Sequence, residues 1–169
     1  MKHKLVEVRR SALHNKGVFA KENIPKDSKI IQYFGDKITK AESLRRQEKQ
    51  QLKANRNRNT GSVYIFDLNK RFDLDGNISN NIAKYINHHC KPNAEAFNIR
   101  GKIWIYAKRK IKKDEELFFN YGFTIDSYEE NVCLCGAPSC LGYIVATSER
   151  AKLKRLLIKK KKEVIIKKK

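Results

Sequence analysis

The sequence predicts a mainly β domain with short helices, closed at its C-terminal end by a cysteine-rich segment. Three observations predict it. Short β-branched and aromatic runs recur between turn-forming residues; a single capped, highly charged run is the main helical signal; and Cys133, Cys135 and Cys140 cluster, with the remaining cysteine, Cys90, far upstream. At 169 residues the chain has room for one domain and can bury well over half of its unfolded surface. A hydrophobic share of 40% fits a globular chain. Nothing recurs at a fixed period, which excludes solenoids and propellers.

Along the chain, "KLVEV", "GVFA" and "KIIQYFG" read as a strand meander broken by the turn formers of "HNKG" and "IPKDS". "TKAE", Thr39 to Glu42, matches a capping box and opens a charged, mostly exposed helix running to about Ala54, which "NRNRNTGS" ends. "VYIFDL" and "RFDLD" return to strand, "SNNIAKYI" is a short helix or irregular, and "KIWIYAKRKI" is a strand after the "NIRG" turn. "DEELFFNYGF" is a charged turn entering an aromatic run. The boundaries expected are a domain over 1–130, a metal-binding segment over 131–145 and a basic tail over 146–169. A partial apolar stripe at 153, 156, 157 and 158 makes that tail a frayed basic helix outside the core fold.

The charge is +20, from 38 basic and 18 acidic residues. Residues 150–169 alone hold eleven Lys/Arg and one Glu, so the body is only moderately basic. Such an excess favours polyanions, and weak nucleic-acid contact through the tail is an expectation. No run reaches the roughly 18 apolar residues that span a bilayer, and the N-terminus lacks a signal-peptide apolar core. A soluble intracellular protein of the cytoplasm or nucleus, with no membrane partner, is expected.

In a reducing compartment, cysteines serve metals or catalysis more often than disulfides. C-x-C-x4-C supplies three of the four ligands of tetrahedral zinc, and Cys90 is the one cysteine left to close the shell. The alternatives are a histidine ligand, His88 or His89, or a Cys90 that is simply buried as a small hydrophobe. With four protein ligands the zinc is structural, one per chain.

On "NKGVFA", "YFGD", "NNIAKYINHHCKPN", "EELFFNYG" and "CLCGAPSCLGY", which follow in order from Asn15 to Tyr143, the chain resembles, over roughly Lys4 to Tyr143, the SET-domain protein lysine methyltransferases with a post-SET zinc segment. The resemblance implies small curved sheets around a knot-like crossing in which the "INHHC" and "FFNYG" segments lie against each other. It implies that S-adenosylmethionine binds on one face and a substrate lysine enters from the other. Lys16 and Gly17 match the family's cofactor turn, with Asn15 in place of its first glycine. Asn87 and His88 match the adenosine contacts, with Lys84 and Tyr85 beside them, Tyr64 as an aromatic near the cofactor and Tyr143 as the aromatic after the last cysteine. Tyr121 takes the place of the catalytic tyrosine, Tyr33 that of another tyrosine of the lysine channel, and Phe119 the place that tunes how many methyls are added. The departures are Asn80 for Gly, Lys84 for Arg, His89 for Ser and Asn120 for Asp. The implied zinc ligands are Cys90, Cys133, Cys135 and Cys140, which would couple a lid to the site.

The implied reaction is methyl transfer to a lysine of a histone tail or histone-like protein, with Phe119 favouring di- or trimethylation. Two other classes compete: a zinc-stabilised nucleic-acid-binding module, which the tight cysteine spacing disfavours, and a noncatalytic binder of the same fold, which would more naturally have lost Tyr121 or the Asn87–His88 pair.

Overall fold

The computed structural model of the protein describes residues 3–13, 15–56 and 64–167. The stretch expected to end the first helix lies largely outside them. The chain divides into two compact units, Met1–Asn87 with Asn93–Phe118, and His88–Pro92 with Phe119–Lys169.

The first unit is built from small sheets. β1 (Val6–Arg9) pairs antiparallel with β2 (Gly17–Ala20), Val6 opposite Ala20. β3 (Lys29–Tyr33) lies beside β9 (Lys102–Ala107), which also pairs with β8 (Ala94–Ile99). β4 (Asp36–Thr39), β6 (Phe72–Asp75) and β5 (Ile65–Asp67) form another three-stranded sheet. β9 shows why these residues make strands: Ile103, Ile105 and Ala107 are buried while Trp104 and Tyr106 are only partly so, the period of two that a half-buried strand needs. Between β8 and β9, Arg100 and Gly101 both take positive φ, 52° and 79°, as a two-residue type I′ hairpin requires. Around these strands Val18, Ile24, Ile86, Ile111 and Leu117 complete a core that is fully or almost fully buried.

Helix α1 (Lys40–Arg56) starts where the capping motif puts it. Only half of the box forms: Thr39 Oγ1 accepts the Glu42 N–H at 3.3 Å, whereas the Glu42 carboxylate turns to Arg45 and Arg46. Those two guanidiniums hold Glu42 down to about 2. The helix is tied to β6 by Lys40 on Asp73 (2.6 Å) and Arg46 on Asp75 (2.8 Å), both aspartates being buried. "SNNIAKYI" contains a 3-10 turn, Ile82–Tyr85.

β7 (Asn87–His88) and β10 (Phe118–Phe119) pair as the fourth small sheet. In the second unit the His89 N–H donates to the Phe119 carbonyl at 3.4 Å, so the "INHHC" and "FFNYG" segments do lie against each other. A 3-10 segment, Ile125–Glu130, leads to the cysteine loops, and helix α2 (Arg150–Lys167) follows.

α2 corrects the expectation of a tail outside the core fold. Leu153 is fully buried in a cluster with Ile125, Tyr128 and Val145, and Leu156 and Leu157 pack against it. An apolar face that narrow reads as a weak stripe among lysines, yet Leu153 with Leu156 and Leu157 seats the helix on that cluster.

Candidate active site and metal centre

In the first unit the Asn87 carboxamide is a clamp. Its Nδ2 donates to the Lys16 carbonyl (3.0 Å) and to Glu116 Oε1 (2.8 Å), with Ser11 Oγ at 3.4 Å; Ser11 Oγ in turn donates to Glu116 Oε2 at 2.9 Å. This joins the turn before β2 to the strand ends beside it. A Cβ on Gly17 would sit 2.2 Å from Glu116 Oε1 and 3.0 Å from Ser11 Cβ, so a larger residue there would have to displace the carboxylate that Asn87 and Ser11 hold. Lys16 is exposed but its ammonium lies 4.9 Å from the Tyr85 ring centre, and Lys84 approaches the same ring at 5.3 Å while donating to the Ile78 carbonyl. Among the described residues neither ammonium has a carboxylate within salt-bridge distance. Two cations over one aromatic therefore suit an anionic group of a ligand.

Tyr33 is almost completely buried, and its hydroxyl donates to the Tyr64 carbonyl at 2.9 Å. The same carbonyl accepts the Gly76 N–H at 2.9 Å, and the Gly76 carbonyl accepts Asn81 Nδ2 at 3.0 Å. Phe66 packs against the Tyr33 ring with centres 4.7 Å apart. Burial, and secondarily Tyr85, pushes the Tyr64 phenol above its ordinary value, so it stays neutral. A Cβ on Gly76 would lie 2.1 Å from the Tyr33 ring. Gly76→Ala is therefore expected to destabilise the chain by about 1–3 kcal/mol, the usual scale of overpacking, as read from a urea melt; an unchanged midpoint would mean that Tyr33 moves freely.

In the second unit Tyr121 sits in an aromatic box. Its ring centre lies 5.1 Å from Phe119, 5.4 Å from His88 and 5.8 Å from Phe123. Its backbone N–H donates to His88 Nδ1 at 3.3 Å. Because a backbone N–H can only donate, neutral His88 carries its proton on Nε2, which faces Cys90 Sγ at 3.6 Å. Burial first, then the charges of His89 and Arg150, lowers His88 to about 4, so the neutral form holds at pH 7. Hydrogen bonding accounts for Asn120 where the resemblance implies Asp: Nδ2 donates to the Val145 carbonyl (3.3 Å) and Thr147 Oγ1 (3.1 Å), and Oδ1 accepts the Gly122 N–H (2.9 Å). A carboxylate would confront the Val145 carbonyl with a second acceptor.

Cys90, Cys133, Cys135 and Cys140 bring their sulfurs within 4.8 Å of one another. Cys90 Sγ is 3.8 Å from Cys133 Sγ and 3.7 Å from Cys140 Sγ. Zn–S bonds of about 2.3 Å at tetrahedral angles put sulfurs about 3.8 Å apart, so the donor set fits zinc. These separations are far too long for a disulfide. Burial pushes Cys90 up to about 11 and Cys133 higher still; at Cys135 burial is outweighed by the Ala137 and Cys90 backbone amides, and the thiol falls to about 7. Among the described residues no histidine joins the set.

The first unit thus holds Lys16, Gly17, Tyr33, Tyr64, Lys84, Tyr85 and Asn87, and the second holds His88, Phe119, Tyr121, Tyr143 and the cysteines. The Tyr143 ring packs edge to face on Tyr128, centres 4.9 Å apart, in the cluster that seats α2. Sequence reasoning missed Phe123, Glu116 and Gly76. Phe123 was findable, because 119, 121 and 123 alternate; Glu116 and Gly76 act through partners remote in sequence.

The sequence model of the family described as "SET domain" matches residues 15–122. The chain is 38% identical over 149 residues to a protein of Chaetomium globosum named "Histone-lysine N-methyltransferase, H3 lysine-4 specific", covering 83% of this chain and 13% of that protein. It is 37% identical over 145 residues to "Histone-lysine N-methyltransferase set-2" of Caenorhabditis elegans, covering 83% and 9%. A Schizosaccharomyces pombe protein named as the first is 38% identical over 143 residues, covering 79% and 14%. The chain spans only about a seventh or less of the length of these relatives.

Proposed function

The chain belongs to the SET-domain family, whose model covers well over half of it, and from that membership we propose that it is a protein-lysine N-methyltransferase acting on a histone or a histone-like basic protein. The relatives' names make histone H3, and its lysine 4, the first substrate to try. Such a substrate would place the protein where histones are. Among the described residues no helix is long and apolar enough to cross a membrane.

The observation that carries the reading is the box around Tyr121, with its main chain pinned to His88. S-adenosylmethionine, when bound, supplies an activated methyl on a positively charged sulfur. Lys16 and Lys84 are assigned to its carboxylate, on the strength of the two ammoniums that share Tyr85. Lys84 would bind it as a point charge, without the bidentate fork of the family's Arg. Gly17, Tyr64, Tyr85, Asn87, His88 and Tyr143 are assigned to the cofactor by motif position, with the Asn87 side chain holding the turn and Tyr143 held against Tyr128.

A lysine, with its ordinary pKa near ~10.4, must lose a proton before it can attack. Aromatic walls such as Phe119 and Tyr121 disfavour the ammonium by excluding water and so lower the lysine's pKa; the proton it releases goes to bulk solvent. Tyr121, a phenol with an ordinary pKa near ~10, orients the amine rather than taking its proton. Tyr33 is assigned to the lysine by its motif position, its hydroxyl aligned by the Tyr64 carbonyl. The cysteine cluster is assigned one structural zinc, with no open coordination position and therefore no Lewis-acid role.

Transfer of label from S-adenosylmethionine to lysines of a histone mixture tests the reading. No transfer by zinc-replete protein would overturn it and favour a noncatalytic binder. Phe119 extends the same test to product number. A hydroxyl there could hold a water that blocks the rotation a methylated amine needs, whereas phenylalanine leaves the space free. Wild type is expected to pass beyond monomethyl-lysine and Phe119→Tyr to shift toward it, by mass spectrometry over a long time course. A wild type that stalls at one methyl with excess cofactor would refute this.

A further inference from the structure

We infer that the outward face of α2 is a sequence-independent binding surface for the phosphate backbone of a nucleic-acid duplex, a property separate from methyl transfer. The helix is held by one face: Leu153 is fully buried, Leu156 and Leu157 are packed on the same cluster, and Lys160 reaches back to Glu129. At 3.6 residues per turn, Lys152, Arg155, Lys159 and Lys162 fall in one stripe turned away from Leu153 and Leu157. All four are exposed; Lys154 and Lys161, also exposed, lie on the opposite flank of the helix. Among the described residues, the ion pairs of the stripe are Lys152 with Glu149 and Lys159 with Glu163, each at the 4.0 Å limit.

That arrangement selects the partner. A helix that lies on a membrane needs a free apolar face to bury in the interface, whereas Leu153, Leu156 and Leu157 of this one already pack on the protein. A specific protein partner is usually anchored by aromatic or apolar side chains at the centre of its contact, whereas over 152–163 the exposed large hydrophobic residue is Ile158 and the rest of the exposed surface is charged. What remains is a row of flexible point charges. From Lys152 to Lys162 the row runs about 15 Å at 1.5 Å per residue, over which duplex DNA presents on the order of nine phosphate charges. Fixing the row on a seated helix places these cations at defined spacings, which a disordered lysine run would not do.

The test uses the zinc-replete full chain and a fluorescent 20-base-pair DNA of arbitrary sequence, titrated from 50 to 200 mM salt. Affinity is expected to fall on the order of 100-fold over that range if about four phosphates are neutralised, and a second, unrelated duplex should behave alike. Replacing three stripe cations together, Arg155→Gln, Lys159→Gln and Lys162→Gln, should make the slope of log K against log salt shallower by about 2–3. These side chains are exposed, so an unchanged melting temperature and zinc content serve as the control for folding. The inference is overturned by no binding at 50 mM salt, by an unchanged slope in the triple variant, or by polyglutamate competing as well as DNA at equal charge. Binding to anionic phospholipid vesicles without binding to DNA would overturn it in favour of a membrane. Tyr121→Phe should bind DNA like wild type, so failure of the methyltransferase reading and failure of this one are distinguishable.

Discussion

Tyr121→Phe is expected to lower methyl transfer roughly 100- to 1,000-fold, the usual scale for removing one preorganised polar group at a reacting centre, with little change in folding. The ring keeps its packing in the variant: Phe119, His88 and Phe123 surround the aromatic carbons, and the Tyr121 main chain stays on His88 Nδ1. What disappears is a single oxygen able to align an amine. The loss should therefore fall on the rate at saturating cofactor and peptide, with cofactor affinity by calorimetry within a few fold of wild type. Activity within a few fold of wild type would move the catalytic role to another residue; a lost melting transition would mean that the hydroxyl serves the fold.

β9 was readable because Ile103, Ile105 and Ala107 alternate with Trp104 and Tyr106. β8, its neighbour, was not: its inward residue Ala94 is small, while the large Phe97 and Ile99 face solvent, so hydrophobicity along it points the wrong way. The start of α1 followed from Thr39, but Glu42 was claimed by two arginines one turn on, and a local motif carries no information about that competition. Among the site residues, the gathering of the four cysteines was legible, because three clustered cysteines leave a four-ligand shell one short and Cys90 is the remaining cysteine. The compact units bear on the position of Cys90: the segment His88–Pro92, though it lies inside the sequence of the first unit, groups with the C-terminal chain. The tight fit of Gly76 against Tyr33 had no local signature, because the contact exists only once β3 and the chain after β6 are folded together. Asn120 shows a departure from a motif becoming intelligible only through its partners, Val145 and Thr147.

Freshly purified protein is expected to hold one zinc, and Cys135→Ala to hold less than half an equivalent by elemental analysis. The argument is the ligand count together with sulfur separations of 3.7 and 3.8 Å from Cys90, which match a tetrahedral shell. Without a cation, burial favours protonated thiols at Cys90 and Cys133, so loading apo protein at pH 7 should release protons to a weak buffer. Structural zinc contributes on the order of 10–16 kcal/mol of apparent binding free energy in isolated fingers. Its loss should therefore open the loops around Cys133 to Cys140, where the Cys133 N–H donates to the Gly142 carbonyl and the Cys140 N–H to the Ala137 carbonyl. Hydrogen exchange resolves this by segment: amides of 131–145 should lose protection in Cys135→Ala or under a chelator and regain it in the chelated wild type on adding zinc, while those of β9 keep theirs. Unchanged zinc in Cys135→Ala, or loops equally protected with and without metal, would remove zinc from the account and leave the four cysteines as ordinary packing.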